Sequence, residues 1–263
     1  MNEKTPKVTV IVPCYNHGEY LEESVGSLLE QTFQDFKIYV INDGSTSPQT
    51  IEILEKFNKP KTTILHKKNG HLSSARNYGI ARTDSEYICT LDADDMFDKN
   101  FLKEAVEVLD NQPEIGVVTS FQQDFGVSRA LGDPGGGDVR NFLADNACLA
   151  SSMYRRLCWV QANGYDENMK QGYEDWNFWV GVTKNKWKVH VLQHGHLKYR
   201  VKEVSMVTES NKIRPELCKR IAQNHIEVYK EHVADIVYSK ELKIFNLKQE
   251  IEQLKQQLKE AQS

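Results

Sequence analysis

A chain of 263 residues that is 40% hydrophobic and 27% charged has the composition of an ordinary globular protein, with length enough for one large or two small domains. A net charge of −4 leaves no basic footprint for nucleic acid. Five scattered cysteines without a Cys-x-x-Cys pair read as reduced thiols of a cytosol, and no stretch has the apolar core of a signal peptide or of a membrane span. The expectation is a soluble, cytoplasmic protein whose substrate can still lie at the inner membrane face, through peripheral association.

Residues 8–12 form a β-branched run stopped by Pro13, the pattern of a strand buried on both faces. Residues 19–31 place Leu21, Val25, Leu28 and Leu29 on one helical face. A strand at 36–41 closes on Asn42-Asp43-Gly44-Ser45, and Ser47-Pro48 then opens a helix. A strand at 62–65, a helix at 73–81 and a strand at 87–91 follow. The last of these runs into Asp92, Ala93, Asp94 and Asp95, ahead of an amphipathic helix pattern at 97–109. This alternation predicts an α/β fold with a Rossmann-like, mostly parallel central sheet and flanking helices.

Ligands of such sheets sit outside the carboxyl ends of the strands. Tyr15, Asn16, Asp43, Asn69, Gly70 and Arg76 all gather there, as does the acidic turn. Crowded carboxylates raise each other's pKa unless a cation lies among them, and Mg²⁺ or Mn²⁺ takes one or two carboxylates together with substrate phosphates. The set suits a nucleotide with its metal. Each member also has a plain reading: Asp94 or Asp95 as a helix cap, Asp43 as a turn acid, Tyr15 as core, Arg76 as a surface residue.

A strand is expected at 115–119, then a weak pattern with a turn-rich surface loop at 133–138 that lacks the Gly-Lys-Ser/Thr of a phosphate cradle. A short strand at 150–154 and a helix at 155–162 precede Gly172-Tyr173-Glu174-Asp175-Trp176, where two acids open an aromatic-rich helix. Asp175 suits either a cap or a proton-transferring base, and Trp176 either core or a wall for a sugar; Trp179 reads as core. Two strands are expected at 188–192 and 196–201, with His190, His194 and His196 as sheet-surface histidines rather than metal ligands. Residues 214–238 read as mainly helical. In the tail, Ile244, Leu247, Ile251, Leu254, Leu258 and Ala261 form a heptad seam that favours a parallel homodimer through 241–263. Across that pair Glu250 faces Lys255, while Lys243 and Lys248 repel; fewer than three heptads leave a helix packed back on its own domain as the alternative.

Val10-Ile11-Val12-Pro13-Cys14-Tyr15-Asn16, Ile41-Asn42-Asp43-Gly44-Ser45, Ser74-Ala75-Arg76-Asn77, Leu91-Asp92-Ala93-Asp94-Asp95 and Tyr173-Glu174-Asp175-Trp176, in this order, resemble family 2 glycosyltransferases of the GT-A fold. The resemblance spans about 8–206. It implies an inverting enzyme that moves a sugar from a nucleotide-diphosphate sugar, usually UDP-linked, with Mn²⁺ or Mg²⁺, to a hydroxyl of a glycan or lipid-linked acceptor in polysaccharide biosynthesis.

By position, the resemblance implies that Pro13, Tyr15 and Asn16 line the nucleotide pocket and that Asp43 accepts from uracil. Arg76 lies near the nucleotide with Asn69 and Ala93, Asp92 contacts ribose and sugar, Asp94 holds the metal, and Asp175 is the general base. The catalytic domain would span 1–210, with a nucleotide-sugar half at 8–95 and an acceptor half at 96–206, then a helical extension at 211–240 and the tail at 241–263. Two departures stand out: His71 where many relatives carry Gly, and Lys202 where they carry a metal-binding His. The competing reading is a non-catalytic sugar-nucleotide-binding module that assembles partners through its tail.

Overall fold

The computed structural model describes residues 5–203 and 205–261; residues 1–4, 204 and 262–263 of the expected domains lie outside it. Among the described residues nine strands make one sheet: β1 Val8–Cys14, β2 Phe36–Asn42, β3 Thr62–His66, β4 Tyr87–Thr90, β5 Met96–Phe97, β6 Ile115–Gly126, β7 Leu131–Gly132, β8 Met153–Arg155 and β9 Lys188–Val201. Their order is β3-β2-β1-β4-β8-β6-β9-β5, with β7 on the side of β6.

The first four strands are parallel, as expected. Beyond β4 the sheet is mixed: β8 runs against both its neighbours, while the long β6–β9 pair is parallel, so most of the paired residues are parallel, as expected. Thr90 Oγ1 donates to Ala150 O at 2.6 Å, and Thr90 N donates to Ser152 O, so 150–152 lie at the carboxyl end of β4. The strand that follows can only run back, and β8 pairs antiparallel with both β4 and β6.

Other expectations are corrected. The strands at 188–192 and 196–201 are one strand, β9, because β6 is long enough to pair with both parts. The register jumps from Ser120↔Leu192 to Gln122↔Leu197, so residues 193–196 form a bulge instead of a turn. The helix expected from residue 97 begins at Phe101, since Met96 and Phe97 pair with Lys198 and Leu197 as β5. Neither Asp94 nor Asp95 therefore caps it. His196, expected on the sheet surface, is buried, with Nε2 3.1 Å from Glu104 Oε2.

Side chains of β1 alternate between two cores. Val8, Val10 and Val12 join Leu21, Val25 and Leu28 of the helix Leu21–Leu29, with Phe101 and Leu102. Ile11 faces the other way, with Ala75, Trp176 and Trp179. Strand β1 is thus held on both faces, and the residues that follow it are fixed in place.

After β9 come the helices Met206–Lys212, Arg214–Asn224, Ile226–Glu231 and Val233–Ala261. Leu217 and Ile221 carry the second of these into the core beside the helix Glu174–Thr183. His225 donates from Nε2 to Asn177 O at 2.9 Å and accepts at Nδ1 from the Lys184 ammonium at 3.2 Å. A carbonyl only accepts and an ammonium only donates, so the neutral imidazole fits, and burial with Lys184 lowers its pKa to about 4.

The last helix crosses the expected 240/241 boundary without a break. Lys243 pairs with Asp145 at 2.6 Å; beyond it Ile244, Leu247, Ile251, Leu254 and Leu258 are exposed. No described helix is long and apolar enough to cross a membrane.

Candidate active site

A cavity of about 600 Å³ opens at the carboxyl ends of β1, β2 and β4. Its wall is built by Pro13, Cys14 and Tyr15, by Asp43 and Asn69, and by Asp92, Ala93 and Asp94; Arg200, Lys202 and Met206 also contribute to it. Strand alternation sets this up: Cys14 is buried, so Tyr15, the first residue past the strand, turns outward and is 46% exposed. Its ring offers an apolar face to a base.

Asp43 is buried and heavily engaged. Lys67 Nζ lies 2.6 Å from Oδ1, and the Gly70 amide donates to both carboxylate oxygens at 3.0 and 3.2 Å. Asn69 Nδ2 donates to the Asp43 carbonyl at 2.9 Å. Gly44 makes this closure feasible: its φ is +69°, and a Cβ there would lie 2.7 Å from Asn69 N. The site therefore presents a fixed anion with part of its acceptor capacity still facing the cavity.

Asn16 and Arg76 are placed otherwise than the sequence implied. Asn16, at φ 58°, accepts the amides of Thr46 and Ser47, both at 2.8 Å, and lies outside the cavity wall. Its side chain holds the loop after β2, which shapes the pocket without lining it. Arg76 is 0% exposed. Its guanidinium spans Asp92 Oδ1 at 2.9 Å and Glu174 Oε1 at 2.7 Å and stacks near the Tyr165 ring. Arg76 is thus the buried link between two acid clusters 82 residues apart in sequence, counted from Asp92 to Glu174.

The three acids after β4 have separate partners. Asp92 takes Arg76. Asp94 takes Lys202, with Nζ 2.6 Å from Oδ2. Asp95 is buried and accepts from the Arg200 amide at 2.9 Å; burial, then Asp92 and Asp94, raise its pKa well above the carboxylate range. The Arg200 guanidinium donates to the Asp94 carbonyl at 3.0 Å, pairs with Glu23 and lies between the rings of Tyr20 and Phe125.

These donors do not fit a divalent ion. Mg²⁺ or Mn²⁺ wants oxygens that can turn toward it. Asp92 gives Oδ1 to a buried arginine, Asp95 is aimed at a backbone amide, and the ammonium on Asp94 stands where a cation would bind. Among the described residues no group of three His, Cys, Asp or Glu side chains could hold an ion.

The second cluster opens the helix Glu174–Thr183. Tyr173 precedes it with φ 58° and gives no side-chain cap, so neither acid is the cap; both lie in the first turn. Glu174 is buried against Arg76. Asp175 is partly buried and accepts from Asn146 Nδ2 at 2.9 Å. Burial raises the pKa of both acids, against the pull of Arg76. Asp175 lies outside the wall of the cavity described above. Trp176 is core: its Nε1 donates to Phe142 O at 2.6 Å, which removes it as a sugar platform, and Trp179 is fully buried as expected.

The helix Met206–Lys212 escaped the sequence reading. It contributes Met206, Val207 and Glu209 to the cavity wall, and Ser210 Oγ donates to Gln171 O at 2.7 Å. A Cβ on Gly172 would lie 2.0 Å from that hydroxyl, so Gly172 is what lets the helix sit against the loop before Glu174. The capping box of Ser205 and Thr208 was the available signal.

The family model described as glycosyl transferase family 2 matches residues 9–147, more than half of the chain. The chain belongs to glycosyl transferase family 2. A glycosyltransferase of Rickettsia bellii is 33% identical over 184 residues, 67% of this chain but 26% of that protein. One of Haemophilus influenzae is 28% identical over 245 residues, 86% of this chain and 75% of its own length.

Among solved structures, S. aureus TarS 1-349 superposes with a TM-score of 0.70 at 22% identity, covering 88% of this chain and 70% of that one. The same fragment in complex with UDP-GlcNAc gives 0.65 at 23%, covering 77% and 60%. The likeness shows the shared GT-A fold. Within this family 2 chain, the matched segment carries the cavity residues from Pro13 to Asp94 and ends just short of Cys148; those from Tyr199 to Glu209 and the acids at 174–175 come from the part beyond it.

Proposed function

We propose that this chain is an inverting glycosyltransferase. It moves a sugar from a UDP-sugar to a hydroxyl of a glycan or lipid-linked acceptor, as a cytoplasmic step of polysaccharide assembly. The observation that carries the reading is Arg76, which ties the nucleotide-side acid Asp92 to the helix that bears Asp175. Family membership and the UDP-GlcNAc complex of TarS support the donor class.

Uracil stacks on Tyr15 and donates its ring N–H to Asp43. Pro13, Asn69 and Ala93 shape the nucleotide wall, with Asn16 bracing it from behind. Asp92, oriented by Arg76, meets ribose and sugar. On the acceptor side, Asp175 takes the proton of the attacking hydroxyl. A carboxylate whose pKa is raised by burial is a better base than one in water, because proton transfer to it is more favourable. Residues 8–95 serve the donor and 96–206 the acceptor, with 211–240 as a helical extension.

Thermal unfolding with a panel of UDP- and GDP-sugars tests the donor assignment. At a ligand concentration about a hundred times Kd, a UDP-sugar should raise the melting temperature by about 5 °C or more. Asp43→Ala should abolish that rise. No response to any nucleotide sugar would remove the reading.

The tail, in the same proposal, pairs two chains in parallel through Ile244 to Leu258, which one chain leaves exposed. Light scattering should give a dimer for the full chain and a monomer for a version ending at Lys243. Equal protomer counts would contradict the pairing.

A further inference from the structure

We propose that the Lys202 ammonium is the cation that meets the donor's diphosphate, in the place a divalent ion would occupy, so that donor binding and transfer proceed without added metal. The proposal rests on the nucleotide-sugar reading above and specifies its electrostatics.

The geometry comes first. Lys202 follows the end of β9 and forms part of the cavity wall, as Asp94 does. Its Nζ is 2.6 Å from Asp94 Oδ2, and the two side chains are only 27% and 15% exposed. It also lies 5.0 Å from the centre of the Tyr20 ring, whose π-face favours a cation. An ammonium has three donors in a tetrahedral spread. With one on Asp94, the others are available to oxygens arriving in the cavity.

Asp94 then plays the part that a metal-ligating carboxylate plays toward its ion: it fixes the position of the positive charge. Arg200, two residues earlier, is anchored by the Asp94 carbonyl, by Glu23 and by two rings, so it steadies the segment that carries Lys202.

A divalent ion has a poor case in the same place. A charged lysine offers no lone pair and repels a second cation at this distance. Seating an ion there would first require moving the Lys202 ammonium off Asp94, while Asp92 Oδ1 stays held by a fully buried Arg76.

In the reaction, the bond from the anomeric carbon to the diphosphate oxygen breaks, and its electron pair goes to the diphosphate. A bond from the acceptor oxygen to the anomeric carbon forms, and the acceptor proton goes to Asp175. Lys202 donates hydrogen bonds to the oxygens on which charge grows, which is where a fixed cation lowers the barrier.

Calorimetric titration with UDP and with uridine, in EDTA and in Mn²⁺, tests this without relying on turnover. The wild-type protein should bind UDP within about threefold equally in both buffers. Lys202→Met should weaken UDP by about tenfold or more, the scale of a lost charged hydrogen bond, and leave uridine unchanged. The double variant Lys202→Met with Asp94→Asn should stay weak, whereas recovery of wild-type affinity would show that Lys202 only neutralises Asp94 and would overturn the proposal. Lys202→His should bind UDP more tightly in Mn²⁺ than in EDTA. Wild-type binding of UDP that requires Mn²⁺ would also overturn it. Failure of both UDP and uridine in both buffers would instead refute the donor site itself, and this inference with it.

Discussion

Asp175→Asn is expected to lower transfer by about 10²- to 10⁴-fold, the usual contribution of a positioned general base, while UDP affinity stays within about threefold of wild type. The substitution is nearly isosteric. The Asn carbonyl can still accept from Asn146 Nδ2, so the helix start should hold its shape. What is lost is the capacity to take a proton.

The pH dependence of the wild-type enzyme follows from the same residue. Burial raises the Asp175 carboxyl above its ordinary value, and the base works only when ionised. Activity should therefore rise with pH through that raised value, with Glu174 and Asp175 titrating as a pair. In Asp175→Asn this acidic limb should vanish from the residual rate. A variant that turns over normally, or that loses UDP binding in proportion to rate, would remove Asp175 from the role.

Arg76→Leu should cost about 3–5 kcal/mol of folding stability, the range for removing one partner of a buried ion pair. Two carboxylates would lose their counter-charge at once: Asp92 at the floor of the cavity and Glu174 in the core. For a chain of this size the melting temperature should fall by about 10 °C. Arg76→Lys should fall between the two, because one ammonium cannot reproduce a fork that reaches Asp92 and Glu174 from separate nitrogens. A melting temperature unchanged in Arg76→Leu would mean that the link carries no load. The expected companion effect is a loss of UDP-sugar affinity as Asp92 turns away from its place.

The halves of this chain differed in how plainly their sequence spoke. The run 8–12 is apolar because its strand is covered on both faces, and 36–41 mostly alternates buried with half-buried residues, so the parallel half is readable locally. β9 was not, because its continuity is a property of its partner: only the twelve residues of β6 make a bulged fourteen-residue strand worthwhile. The short reach of β5 likewise exists only through β9.

The site divides the same way. Tyr15, Asp43, Asp92 and Asp94 stand at strand ends, and the structure puts them in one cavity wall. Asn16 and Arg76 sit one layer behind the cavity wall, where a partner distant in sequence decides what the side chain does. Arg76 in particular has the local pattern of a surface helix residue. Only the fold reveals that Glu174, 98 positions away, is its partner. The helix 206–212 carries only its capping box as a local signal, because its apolar residues Met206 and Val207 face a cleft rather than a core.

The central claim is a single displacement with Asp175 on the acceptor side and the diphosphate leaving from the opposite face. Proton NMR of the first product formed from an α-linked UDP-sugar tests it most directly. The account predicts a β linkage from the first turnover. An α-linked product would contradict it, since retention needs a second displacement or front-side attack that this arrangement of one base and one cation does not provide.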